Sequence, residues 1–471
     1  MLQKSPGAGC SGHTPEKAIM TTIITWQSPE SFNPEAPGLG LPPLEGVEHT
    51  LLYDPLPSQC EPDYGGDGRY ESLRHGTYSH HQKIVLFEDR FIVYWTQHSR
   101  DENGPGQRVL AKVGAFNAGR TDIAWGGDET LFEIAPAPVP VRRKHFEHDP
   151  KLIYETYAHG GLKLINGRLY VTGRLAACHG WTDDIQYHGF PGQPLPHERW
   201  FDAPDHEKGA HFDIWWDLGC HFVQEWRLEA GKLVAASPLY KRNEPVTKVE
   251  VAVGRIKDVI PVIEPYASAM PFEQAPEQMR DDVLNGNPET FERMPKYAPG
   301  MSKLTADGTN GLAHHTEFRR PDGSWVAIRD NLCNPGYYYA AEKARHADDY
   351  PPAVRTNLFG HAMPVAGELP DGHPWIVCNN QSRFDMYLTL SEDGRTFDQT
   401  WLLLHNTRGN SDGGMHKGGG PQYFQAVTVG GNIWVVYSIG KEQVGLTRIP
   451  LAALPKVAGA SSSGNRHEPE Q

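Results

Sequence analysis

No apolar run in these 471 residues approaches the roughly 20 residues that a membrane-spanning helix needs, and no Cys-x-x-Cys pair occurs. The six cysteines, Cys10, Cys60, Cys178, Cys220, Cys333 and Cys378, are scattered, which excludes a short disulfide framework and predicts free, mostly buried thiols. Basic charge is also short: 44 Lys and Arg stand against 58 Asp and Glu, a formal net charge of −14. A nucleic-acid partner would need a basic face to displace counterions, so that class is set aside. An anionic substrate is not excluded, because Arg and His can gather in a cleft while the rest of the surface stays acidic. The first twenty residues have no apolar core after Lys4, so the expectation is a cytoplasmic protein with no membrane contact.

What the chain does have is turn material. The 49 glycines, 39 prolines and 10% aromatics, with 38% hydrophobic residues, suit many short strands joined by tight turns. The stretch Tyr78–Phe87 and its continuation Arg90–His98 read as two strands, with His80 and His81 near the beginning of the first and His98 ending the second. Alternation along a strand predicts that His80 and His81 point to opposite faces. Ile165 and Leu169 flank an Asn166-Gly167 turn, a strong hairpin signal because both turn positions tolerate positive φ. Hairpins of the same form at 225–234, 317–327 and 426–437 suggest repeated four-stranded units of about 40–50 residues each. The expected fold is all-β, a seven-bladed β-propeller over residues 46–455. Residues 1–45 form an N-terminal extension, partly disordered, and 456–471 a disordered tail. Residues 241–300 break the rhythm as a loop and short-helix insertion over one face, with a helix expected over 275–284.

Ser391-Glu392-Asp393-Gly394-Arg395-Thr396-Phe397 matches the Ser-x-Asp-Gly-x-x-Phe pattern of an Asp box. Its Ser and Asp side chains can bond the turn's amides while the glycine supplies positive φ and the aromatic packs between blades. In this the chain resembles the sialidase-like (BNR repeat) propellers. The segment His80-His81-Gln82-Lys83-Ile84-Val85, with His98 and Gly106-Gln107-Arg108-Val109, more narrowly resembles the first blade of the propeller polysaccharide lyases, the ulvan and rhamnose–glucuronate lyases, and of the related rhamnosyl-glucuronate hydrolases. The Arg-Ile-Pro element that sialidases place in an N-terminal strand stands here at Arg448-Ile449-Pro450, near the other end.

The resemblance implies an enzyme that cleaves a 4-linked uronic acid of rhamnose–glucuronate type by β-elimination. That reaction needs a cation on the carboxylate, a base for the C5 proton and an acid for O4. His81 and His98 are the proton-transfer candidates, with Tyr157 as a further proton carrier; Arg174 is the carboxylate clamp, and His80, Arg227, Arg383 and Tyr423 are expected to bind substrate. A hydrolase releasing rhamnose from glucuronate, and a non-catalytic propeller binding glycan or protein, are the alternatives on this fold. No cofactor is expected. His314-His315, near Cys333 and His361, raises a structural metal, calcium or zinc, which the spacing leaves open. The expected partner is an anionic oligo- or polysaccharide, and the expected state a monomer.

Overall fold

The computed structural model describes residues 22–54, 78–98, 108–119, 122–126, 130–132, 143–146, 149–180, 212–243, 269–283, 304–309, 311–346, 349–408 and 418–455. For residues 98, 108, 130–132, 143–146, 149–161, 174–180, 212–221 and 242–243 it describes the backbone alone.

Five sheets built mainly from antiparallel sequence neighbours make up the described fold. Sheet I comprises Tyr78–Phe87, Arg90–His98, Arg108–Phe116 and Ile123–Trp125, with Thr130–Phe132 on its third strand. Sheet II is led by Asp149–Ile165, Arg168–Gly180 and Phe212–Glu229. Sheet III is Leu312–Arg319, Trp325–Asn331, Gly336–Lys343 and Val354–Gly360; sheet IV is Val365–Glu368, Pro374–Asn379, Asp385–Ser391 and Thr396–His405. Sheet V joins Pro421–Val429, Asn432–Ile439 and Gln443–Pro450 to the early strand Glu48–Tyr53. The architecture is a β-propeller, and five described sheets are consistent with seven blades.

The turns explain the hairpins. Both central residues have positive φ at Glu88-Asp89, Asn166-Gly167, Ala230-Gly231 and Gly430-Gly431, the geometry that matches the twist of two joined strands. Ring closure follows from the early strand, which pairs with Gln443–Pro450 on the outer side of sheet V. Arg448 fastens it, its Nε 3.2 Å from Glu48 and its Nη1 3.1 Å from Asn432. The Arg-Ile-Pro element therefore serves the closing seam.

Apolar clusters hold neighbouring sheets together. Ile84, Phe91, Val93 and Trp95 of sheet I pack with Trp434, Val436 and Leu446 of sheet V. Sheets IV and V share a second cluster around Leu388, Phe424 and Val435, and sheets III and IV a third, which Trp26 and Leu39 join. Thr25–Trp26 extends sheet IV by parallel pairing. The Asp box forms as its residues require: Asp393 Oδ1 accepts the amides of Arg395 and Thr396 at 2.7 and 2.8 Å, and Ser391 Oγ accepts that of Gly394 at 2.8 Å. Phe397 then meets Phe318 of sheet III at 5.7 Å between ring centroids.

A helix occurs at Glu277–Asp281, inside the span expected to be helical, and Met279 and Val283 pack on Ile165 and Tyr170 of sheet II. Cys378 is a free, buried thiol, whereas Cys333 is disulfide-bonded, so the reading of six free cysteines fails there. Scattered spacing does not report which segments the fold brings together. Phe91 is fully buried, 4.6 Å from Phe116 and 5.4 Å from Trp434. Phe91→Ala is expected to lower unfolding stability by about 3–5 kcal/mol in urea titration; a loss under about 1 kcal/mol would contradict the load assigned to the seam between sheets I and V.

Candidate functional site

The strands Tyr78–Phe87, Asp149–Ile165, Leu312–Arg319 and Pro421–Val429 of sheets I, II, III and V share one irregularity. In sheet I the pairing jumps from His80↔Thr96 to Lys83↔Tyr94, so His81 and Gln82 face a single residue of the partner strand. In sheet V it jumps from Gln422↔Ser438 to Gln425↔Val436, leaving Tyr423 and Phe424 opposite one residue. Sheet III jumps from Leu312↔Asn331 to His315↔Arg329, which sets Ala313 and His314 opposite Asp330. Sheet II slips between Thr172↔Gly161 and Gly173↔His159. Each is a one-residue bulge, a device that breaks the alternation of side chains and re-aims them.

Two of the bulges, those of sheets I and V, are strained. Among the described residues ten that are not glycine have positive φ, and five of these, His81, Ala362, Arg383, Tyr423 and Lys441, lie in or beside this cluster. Such conformations cost about 1–3 kcal/mol each and collect at functional sites. Neighbouring groups hold them: Gln82 Nε2 donates to the carbonyls of Gln422, at 3.1 Å, and Tyr423, tying the two bulges together. The Ser79 amide donates to Lys441 O at 2.7 Å. Arg383 rides on a turn in which Asn380 and Asp385 bond reciprocally, and its Nη1 donates to Gln422 Oε1. Gly420 passes so close beneath that a Cβ there would sit 2.0 Å from Arg383 O.

Tyr423 is the hub. Its ring lies 4.0 Å from that of His80, 6.2 Å from His81 and 4.8 Å from His314. The Arg383 guanidinium and the Lys441 ammonium stand 5.9 and 5.3 Å from its centroid, within cation–π range. His80 and His81 are 4.2 Å apart and both meet Tyr423, so the expectation that they face opposite ways fails because the bulge interrupts the alternation. His80 is fully buried and His81 half-buried.

Behind this hub, His314 Nδ1 lies 3.0 and 3.1 Å from the two oxygens of Asp330, a residue only 1% exposed. Burial alone would raise the Asp330 carboxyl; His314, and then His361 and Arg383, hold it below the ordinary aspartate range. His361 Nε2 faces Arg383 Nη2 at 3.4 Å. Burial, then the charge of Arg383, lowers His361 to about 4 against the opposite pull of Asp330, with His314 adding to the lowering.

The structure thus brings together four of the residues expected from sequence: His80, His81, Arg383 and Tyr423. The backbone of His98 pairs with Tyr78, at the same end of sheet I as the bulge, and its side chain lies outside the described residues. Tyr157 pairs with Leu175 and Arg174 with Ala158, next to the sheet II bulge, and their side chains are likewise outside. Arg227 is exposed, and its Nε is 2.8 Å from Glu229 Oε1 on the same strand. His405 bonds the buried Asp385, which also accepts the Gly38 amide at 2.9 Å, so it anchors an early segment. Among the described residues no three His, Cys, Asp or Glu side chains form a metal-binding group.

Asp330 and Lys441 were not among the expected site residues, and His314 and His361 were raised only for a structural metal. A signal existed: His81 to Glu88, His159 to Asn166, His314 to Pro321 and Tyr423 to Gly430 are each seven residues, from a bulge to the beginning of a turn. Asp330 carries no such mark, because only sheet pairing sets it opposite His314.

No family model matches the chain, and no curated protein sequence matches it. Among solved structures, a sialidase superposes with a TM-score of 0.55 at 17% identity, covering 91% of this chain and 35% of that one. The chain therefore spans about a third of that sialidase's length. A protein of unknown function from Dyadobacter fermentans gives a TM-score of 0.44 at 11% identity, covering 86% of this chain and 100% of the other. Trypanosoma rangeli sialidase in complex with the inhibitor DANA gives 0.41 at 7% identity, covering 86% of this chain and 59% of that one. The fold is that of a sialidase-like β-propeller.

With its folded pKa lowered to about 4 from 6.5, His361 stays neutral where the unfolded chain already takes up a proton. Its contribution to stability is whole above pH 6.5 and is lost as pH falls toward about 4. His361→Gln is expected to flatten that part of the profile in urea unfolding between these pH values. Equal losses in wild type and variant would contradict the burial assigned to this ring.

Proposed function

We propose that this protein is a carbohydrate-active enzyme that cleaves an anionic glycan at a 4-linked uronic acid, of rhamnose–glucuronate type, by β-elimination. The observation that carries the reading is the meeting of His80, His81 and His314 with Arg383 and Lys441 around one tyrosine. Two cations, Arg383 and Lys441, beside one tyrosine on a chain of net charge −14 are a local feature that favours an acidic substrate there over the rest of the surface.

The chemistry asks for those groups. Arg383, fixed by Gln422, pairs with the uronate carboxylate and draws off the charge that develops when C5 loses its proton. The C5–H electron pair becomes the second bond of C4=C5, the C4–O4 bond breaks, and the departing oxygen takes a proton. His81 stands half-buried at the bulge and carries one of the two proton transfers; the resemblance of the first blade gives His98 as a second carrier. The Tyr423 ring offers the sugar a face on which to stack.

The product decides. Wild-type protein is expected to raise ultraviolet absorbance through a 4,5-unsaturated uronate, and Arg383→Ala to reduce kcat/KM by about a hundredfold, with Arg383→Lys restoring only part. Rhamnose released with saturated glucuronate would mean hydrolysis, and glycan binding without turnover a lectin-like propeller; either contradicts the elimination.

A further inference from the structure

The geometry points to His314 as the base that takes the C5 proton and to Asp330 as the residue that positions it, an assignment that rests on the elimination reading above. The sequence suggested His314 only as a metal ligand.

The bulge Ala313-His314 faces Asp330 across the sheet, and both carboxylate oxygens lie within hydrogen-bonding distance of Nδ1, at 3.0 and 3.1 Å. A carboxylate can only accept, so Nδ1 carries the hydrogen and Nε2 holds the lone pair. Nε2 lies across the ring from Nδ1, no hydrogen bond is made to it among the described residues, and the side chain is 27% exposed. A substrate can therefore reach it. The ring also edges onto Tyr423, beside which Arg383 stands. C5 of a uronate is bonded directly to the carboxylate carbon, so a clamp at Arg383 requires its base close by. Among the other histidines, His361 is directed to Arg383 through Nε2, and His315 Nε2 is 3.5 Å from Glu317. His80 is fully buried.

In this scheme His314 takes the place that the resemblance gives His98: the C5 proton passes to His314 Nε2, the electron pair forms C4=C5, and the C4–O4 bond breaks as His81 protonates O4. Asp330 offsets the positive charge that His314 acquires. Exchange with water returns both rings to their starting states.

The test uses the full chain. His314→Ala is expected to lower kcat on a uronate glycan by about a hundredfold or more with KM little changed, and added imidazole to restore part of the rate. His315→Ala stays near wild type. Nitrogen NMR of the histidines is expected to find the Nδ1–H form at His314 in the wild type and to lose it in Asp330→Asn, whose kcat falls about tenfold or more. An active wild type whose His314→Ala variant keeps its rate overturns the base assignment alone, above all if His98→Ala is inactive. An unchanged His314 tautomer in Asp330→Asn overturns the positioning. A wild type that forms no unsaturated product sinks the elimination and the base together.

Discussion

A left-handed residue other than glycine is strained unless its neighbours hold it, and the candidate site is built around three such residues. His81 and Tyr423 take positive φ inside bulges of adjacent sheets, and Arg383 does so in a turn beside them. The Gln82 amide joins the first two, and Gln422 joins the third. Without that cross-tie the strands would relax to simple alternation and turn half of these side chains back between the blades. Gly420 belongs to the same constraint, since Arg383 O occupies the place of any Cβ.

The ring supplies the stiffness the strain requires. Glu48–Tyr53 closes the last sheet from outside, while apolar clusters lock sheet III to IV, IV to V, and V to I. The Asp box at Ser391–Phe397 acts at the outer end of sheet IV, away from the bulges: Gly394 O accepts from the buried Arg320, whose Nη1 pairs with Glu342 at 2.7 Å. The Asp-box network and the bulge network therefore share no residue, whereas Asp385 serves both the Arg383 turn and the early segment at Gly38.

Much of the frame is legible in the sequence. Asn166-Gly167 and the Asp box announce themselves because their conformations need particular residues within four or five positions. The site is legible only in part. His80 and His81 stand out as a pair, but their shared direction depends on a bulge that no residue type encodes. Asp330 reaches His314 by strand pairing over sixteen residues, and Arg383 reaches Tyr423 across two sheets; neither distance leaves a local trace. The seven-residue spacing from bulge to turn was present, yet it becomes meaningful only once the bulges are seen to lie at equivalent positions.

The central claim is that the cluster around Tyr423 holds an acidic sugar for proton transfer. A crystal structure with a glucuronate-containing oligosaccharide and a slowed variant such as His314→Ala tests it most directly. The account predicts the carboxylate paired with Arg383, the ring against Tyr423, and C5 about 3–3.5 Å from where His314 Nε2 stands in the wild type. A sugar bound on another face of the propeller, or one whose carboxylate turns away from Arg383, would contradict it.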